Sequence, residues 1–232
     1  MKDKYNLTRE QNIFLAKKTL VGTVYNAIKL EGLNTTYIQT EKILNGINDG
    51  KVALDDVRTI LNLKSAWNYI LSNLDEEFNV QFICNINKRV SADESLDWGV
   101  IRYGEIGVRL VDGSSYIPEI PDAEEVEKKL KEINKIENIT ERALTYYLWA
   151  IRSQLFWDGN KRTSSIAANA LLIKNGCGIL TIEEKDLDEF NTKLSEFYKS
   201  NNMQDMKEFL YNKGIQGLVI NKKLEEKNKN YN

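Results

Sequence analysis

Apolar residues recur three and four positions apart along most of the chain, with few interruptions. Thr8-Arg9-Glu10-Gln11 has the spacing of a capping box, and Ile13, Leu20, Val24 and Ile28 follow it. That pattern predicts a helix from about Arg9 to Leu30, stopped by Gly32 and Asn34. A shorter helix with Ile38, Ile43 and Leu44 runs to Gly46. Asp55 or Asp56 is placed to cap the next one, which holds Val57, Ile60, Leu61, Ala66, Trp67, Ile70 and Leu71. Further helices are predicted near Val80–Val90, from Asp122 to about Ile136, and from about Thr140 through Leu155. The series ends with helices over about Lys161–Lys174, Leu187–Tyr198 and Met203–Tyr211. The acidic run Asp122–Glu127 suits a helix N-terminus.

One segment breaks the helical period. Between Asp97 and Pro121 the chain is punctuated by Gly99, Gly104, Gly107 and Gly113, and it holds both prolines, Pro118 and Pro121. Val100-Ile101-Arg102 and Ile106–Leu110 lean towards strand. Asp112-Gly113 is a hairpin-turn signal between Val108–Val111 and Ser115–Ile117. The expected fold class is all-α with a single β-hairpin. A lone hairpin is either a surface excursion or an exposed strand edge able to take another chain by β-augmentation. Asn221 to Asn232, rich in Lys, Asn and Glu, reads as a frayed tail.

With 232 residues the chain is one domain with extensions or two small ones, and 42% hydrophobic residues suffice for a sizeable core. The 32 Lys and Arg against 34 Asp and Glu leave a net charge of −2, which argues against nucleic acid as main partner. A local basic pocket is compatible with that balance. Cys84 and Cys177 fit neither zinc nor CxxC spacing and read as inert buried thiols. Trp67, Trp98 and Trp149 read as packing residues of the core or of the hairpin's underside. The chain has no histidine, which excludes imidazole bases, His-dependent triads and His-ligated metals. The polar N-terminus shows no secretory signal, and no run of about 18 apolar residues predicts a membrane span. A soluble, cytoplasmic protein is expected.

Candidate chemistry concentrates in Phe156-Trp157-Asp158-Gly159-Asn160-Lys161-Arg162-Thr163, between two apolar helices. Gly159 permits a tight turn, and the residues after it open a helix whose free N–H groups attract anions. Lys161 and Arg162 put two cations in that first turn, against the helix dipole, a conflict that a docked anion would resolve. Asp158 supplies a hard oxygen ligand suited to Mg²⁺ shared with a phosphate. An ordinary Asp-Gly turn with exposed basic residues is the plainer alternative.

Gln154-Leu155-Phe156-Trp157-Asp158-Gly159-Asn160-Lys161-Arg162 resembles the signature of the Fic (Fido) family, His-x-Phe-x-(Asp/Glu)-Gly-Asn-(Gly/Lys)-Arg, at every fixed position but the first. The stretch from Gly104 to Pro121 resembles the family's flap, and Ala27-Ile28-Lys29-Leu30-Glu31-Gly32 its inhibitory motif, (Ser/Thr)-x-x-x-Glu-(Gly/Asn). The resemblance implies a Fic helical fold: N-terminal helices over 1–50 including an inhibitory helix, a core over 51–215 with a flap at about 99–118, and a tail over 216–232. It also implies AMP transfer from ATP to a hydroxyl of a target protein, with Mg²⁺ as cofactor. Asp158 would hold the metal. Gly159, Asn160, Lys161 and Arg162 would bind nucleotide phosphates, Asn160 either near the α-phosphate or as a brace of the loop. Phe156 would pack beneath the site, and Trp157 could border the nucleotide. Val108, Arg109, Leu110, Tyr116 and Ile117 of the flap would dock the target as an added strand. Glu31 would obstruct the phosphate pocket.

Three departures qualify that inheritance. Gln154 replaces the family's catalytic histidine, a general base typically worth ~10²–10⁴-fold in rate; a carboxamide can orient a hydroxyl but cannot take its proton near neutrality. Ser165 stands where many members have a second arginine, leaving Glu31 to pair with Lys161 or Arg162. Lys161 replaces the commoner glycine, as in the toxin-like Doc branch, whose members phosphorylate their targets. Enzyme status is therefore open between an adenylyltransferase of altered activity, a nucleotide-binding pseudoenzyme or regulator, and a Doc-like phosphotransferase of a bacterial toxin–antitoxin system. Homo-oligomerisation is open as well.

Overall fold

A computed structural model describes residues 1–221 together with Leu224 and Glu225. Helices α1 (Arg9–Lys18), α2 (Leu20–Leu30), α3 (Tyr37–Leu44), α4 (Leu54–Ser72) and α5 (Val80–Val90) lead to the hairpin strands β1 (Val108–Arg109) and β2 (Ser115–Tyr116). Then come α6 (Ala123–Asn134), α7 (Ile139–Ser153), α8 (Asn160–Lys174), β3 (Ile179–Leu180), α9 (Leu187–Ser200), α10 (Gln204–Phe209) and β4 (Ile215–Gln216). The fold is mostly helical with an antiparallel hairpin, as the periodicity predicts.

Helix α8 is the axis of the molecule. Its residues from Arg162 to Ile173 are buried except Ser165, and α7, α5, α4 and α1 pack around it. A helix buried on all sides is stabilised by its neighbours rather than by one apolar stripe. The core is one contiguous cluster from Leu7 to Ile215, with Trp67, Tyr146, Tyr147, Phe190 and Phe197 among its largest members.

Local chemistry moves several expected boundaries. The first helix is two helices: Thr19 serves as C-cap of α1 and N-cap of α2, and its hydroxyl donates to the Leu15 carbonyl at 2.8 Å. Such back-bonding often accompanies a bend, and Thr19 leaves the helical region at φ −97°, ψ 4°. The capping boxes at Thr8 and Thr36 are both formed. Neither Asp55 nor Asp56 caps α4; Ala53 holds that position, and both aspartates lie in the first turn, where they favour the dipole. Helix α7 stops at Ser153 instead of Leu155, because Gln154 turns left-handed (φ 47°, ψ 61°). Val100–Arg102 forms no strand, and α10 gives way to a π turn over Leu210–Gly214. Trp67 is buried and Trp149 half-buried, whereas Trp98 remains 37% exposed.

A second antiparallel pair, Ile179↔Gln216 and Leu180↔Ile215, escapes the sequence pattern. The other edge of β3 is satisfied by two buried asparagines. Asn12 exchanges hydrogen bonds with Gly178 (2.7 and 3.0 Å), and Asn169 with Leu180 (2.7 and 2.8 Å), so no peptide group of this short strand is stranded in the core. The expected tail falls in large part on 222–223 and 226–232, outside the described residues.

Candidate functional site

The turn from α7 into α8 is set by backbone geometry. Gly159 has φ 70°, and a Cβ there would lie 2.3 Å from Ser91 Oγ and 2.8 Å from Val90 Cγ1. Only glycine fits. Asn87, buried on α5, reinforces the turn from below: its Nδ2 donates to the Asp158 carbonyl (3.0 Å) and to Thr163 Oγ1 (3.1 Å), while Oδ1 accepts from Gly99 N (2.8 Å). Ser91 Oγ also donates to the Asp158 carbonyl at 3.0 Å.

Asn160 spends its side chain on this loop. Its Oδ1 accepts from Phe156 N at 2.9 Å and its Nδ2 donates to the Phe156 carbonyl at 2.7 Å, which makes it the brace. Phe156 is buried beneath. No side chain caps α8 and no acidic residue lies in its first turn, so its N-terminal N–H groups open towards a cleft of about 380 Å³.

Gln154, Trp157, Asp158, Gly159, Asn160, Lys161 and Glu31 line that cleft, as do Val108, Arg109 and Leu110 of the hairpin and Asn191 and Tyr198 of α9. The structure thus brings together most of the residues singled out in the sequence. Tyr116 and Ile117 line a separate groove on the other side of the hairpin, and β2 ends at Tyr116, leaving Ile117 exposed. Val108 pairs with Tyr116 and Arg109 with Ser115. Trp157 packs edge-on against Tyr103 at 5.2 Å.

Charge is dense at the cleft floor. Arg162, 7% exposed, donates through Nη1 to Glu94 Oε2 at 2.6 Å; Asp158 Oδ1 lies 3.4 Å from its Nη2 and Glu31 Oε1 3.9 Å from its Nε. Burial opposes the charged guanidinium, but Glu31, Glu94 and Asp158 outweigh it, and the pKa is raised above the ordinary arginine value. Nε itself has no hydrogen-bond partner. Lys161 Nζ lies 3.3 Å from Glu31 Oε2, so both cations expected to pair with Glu31 do so. Glu94 is further held by Thr59 (2.9 Å) and Asn62 (3.0 Å).

Gln154, 8% exposed, is pinned through its amide nitrogen, which donates to the Ile151 carbonyl (2.6 Å) and to Tyr198 Oη (3.1 Å). Two acceptors on one atom assign it as the NH₂ group, and Oε1 is the acceptor that remains. Burial pushes the Tyr198 phenol up, which keeps it neutral and unfit as a base near pH 7.

Asp158 fits a single-carboxylate role towards Mg²⁺. Its Oδ1 accepts from Gly159 N at 2.5 Å, its side chain is half exposed at the cleft, and Mg²⁺ is commonly bound by one or two carboxylates plus phosphate oxygens. Among the described residues no three carboxylates or thiols are placed to hold a metal ion together.

Sequence reasoning misses Asn87, Ser91, Glu94 and Arg102. Asn87 carries one signal: it is a polar residue beside Ile86 and Val90 on the apolar face of α5. Glu94 and Arg102 carry none, because most of their partners lie far away in sequence.

Residues 77–172 match the model of the Fic/DOC family. The protein adenylyltransferase Fic of Drosophila erecta is 25% identical over 219 residues, which cover 90% of this chain and 43% of that protein. The chain therefore spans less than half of that relative. Among solved structures, Fic-1 of C. elegans aligns with a TM-score of 0.71 at 18% identity, covering 86% of this chain and 61% of that one. A Fic domain containing signaling protein from Bacteroides thetaiotaomicron aligns at 0.70 and 20% identity, covering 87% and 80%. No described helix is long and apolar enough to cross a membrane. The match over residues 77–172, the helical frame shared with those structures and the loop set between α7 and α8 support a Fic/Fido domain in this chain.

Proposed function

We propose that the cleft binds ATP with Mg²⁺ and that the protein transfers AMP to a hydroxyl of a protein target docked along the hairpin. The observation that carries this reading is the uncapped N-terminus of α8, with Lys161 and Arg162 in its first turn, opening into a cleft shared with β1. Phosphate oxygens suit such a terminus. Arg162 offers an Nε without a hydrogen-bond partner and Lys161 an ammonium, both facing Glu31. Asp158 would hold the metal, which supplies charge neutralisation at the phosphates when bound. The target's hydroxyl oxygen attacks the α-phosphorus, the bond to the β-phosphate oxygen breaks, and pyrophosphate departs. Gln154 Oε1 orients the hydroxyl by accepting its hydrogen bond, and the proton leaves on water or on the pyrophosphate. Without an imidazole the step is slow.

Incubation with ATP labelled at the α- or the γ-phosphate tests this. Protein-bound α label with no γ label is expected. γ label alone would instead establish phosphoryl transfer. Tight binding with neither label would establish a nucleotide-binding regulator, a reading favoured by the anchoring of the Gln154 amide to Ile151 and Tyr198.

A further inference from the structure

Arg102 is among the most deeply buried side chains of the protein, at 1% exposure, yet no carboxylate pairs with it among the described residues. Its guanidinium is satisfied by main-chain carbonyls alone. Nη1 donates to Gly104 at 2.5 Å, Nη2 to Glu119 at 2.5 Å and to Pro118 at 3.4 Å, and Nε to Gln154 at 2.6 Å. Its own N–H donates to the Leu155 carbonyl at 2.9 Å.

These acceptors belong to three separate stretches of chain. Gly104 is where the hairpin segment begins, Pro118 and Glu119 are where it returns, and Gln154-Leu155 is the exit of α7 into the phosphate-facing turn. One side chain therefore cinches both legs of the hairpin to the backbone of the residue expected to orient the hydroxyl. The planar fork of arginine suits this: five donors in fixed directions serve several acceptors at once, which an ammonium on a flexible stem does not.

The rest of the hairpin is held less firmly. At its tip Asp112 pairs with Lys199 at 2.5 Å, but both side chains are about half exposed, and such pairs contribute little. Tyr116 lies against the Tyr198 ring at 5.0 Å and under Arg152 at 4.8 Å. Leu110 is the buried apolar anchor of the turn. None of these joins the hairpin to the loop ahead of α8.

We propose that Arg102 is a positioning residue that fixes the hairpin's place over the Gln154–Gly159 loop, and so sets where a docked acceptor strand lies relative to the phosphates. The proposal rests on the reading of the hairpin as acceptor platform, but its test does not need activity. Amide hydrogen exchange is followed by mass spectrometry in the whole chain carrying Arg102→Met or Arg102→Lys. Peptides covering 105–117 should exchange at least tenfold faster in Arg102→Met, and by a smaller factor in Arg102→Lys, which keeps the charge. Peptides within α8 should change less than twofold. Unchanged exchange in the hairpin, or acceleration of hairpin and α8 by the same factor, overturns the proposal. Should Arg102→Met fail to fold, the same comparison in Arg102→Lys decides. A wild-type chain without transferase activity would overturn the functional reading and leave the exchange result to judge Arg102.

Discussion

Glu31 Oε2 lies 3.3 Å from Lys161 Nζ, an ion pair that joins the residue closing α2 to the first turn of α8. The carboxylate faces the cations of a positive helix terminus, where a phosphate would otherwise sit. Glu31→Gln keeps the size and removes the competing charge. ATP binding measured by calorimetry should tighten by about 5–150-fold, the span of ordinary coupling free energies. Equal affinity in both proteins would remove Glu31 from any inhibitory role.

Gln154 is the second test. In a Glu31→Gln background, Gln154→His should raise AMP transfer to protein hydroxyls by ~10–10⁴-fold, read as self-modification by intact mass. An imidazole must be neutral to accept a proton, so the gained activity should fall as pH drops below about 6.5. The glutamine parent should lack that acid limb. A variant that binds Mg·ATP but gains nothing would show that more than the base has changed.

Gly159→Ala places a methyl group 2.3 Å from Ser91 Oγ at a left-handed backbone. Left-handed strain and overpacking together should cost at least about 2 kcal/mol. For a chain of this size that lowers the melting temperature by roughly 4–8 °C. Ser91→Ala in the same chain should recover part of the loss; no recovery would locate the strain elsewhere.

Arg162, buried, and Glu94, partly buried, lie 2.6 Å apart and should be strongly coupled. A double-mutant cycle of Arg162→Met and Glu94→Gln, followed by denaturant unfolding, should return about 1.5–3 kcal/mol, the scale of a charged hydrogen bond. The solvent-exposed Arg9–Asp75 pair, at 2.8 Å, should return no more than about 1 kcal/mol in the same experiment. Similar values for both cycles would mean that burial contributes nothing to the Arg162 contact.

What the sequence discloses is what repeats or what is local. The bounds of α5 at Val80 and Val90 follow from its apolar spacing, and the hairpin from Asp112-Gly113 flanked by β-formers. The loop ahead of α8 is legible because glycine, carboxylate and two cations crowd a few positions. Thr19 is not, since Thr23, Thr59 and Thr145 make the same bond to the carbonyl four residues back inside unbroken helices. The β3–β4 pair is too short to show a period, and its strands lie about 35 residues apart. Arg102 is hidden most deeply. A charged residue in a glycine-rich stretch reads as solvated, and only the folded chain gathers the carbonyls that bury it.

Helix α8 is both the axis of the core and, at its first turn, the floor of the cleft. A ligand gripped by that turn is gripped by the helix that the core packs around. Saturation at about 100 times Kd then adds about 2.7 kcal/mol to the stability of the entire domain. The melting temperature becomes a gauge of nucleotide occupancy that needs no label, no acceptor protein and no turnover. It reads binding in this chain whether or not Gln154 lets chemistry follow.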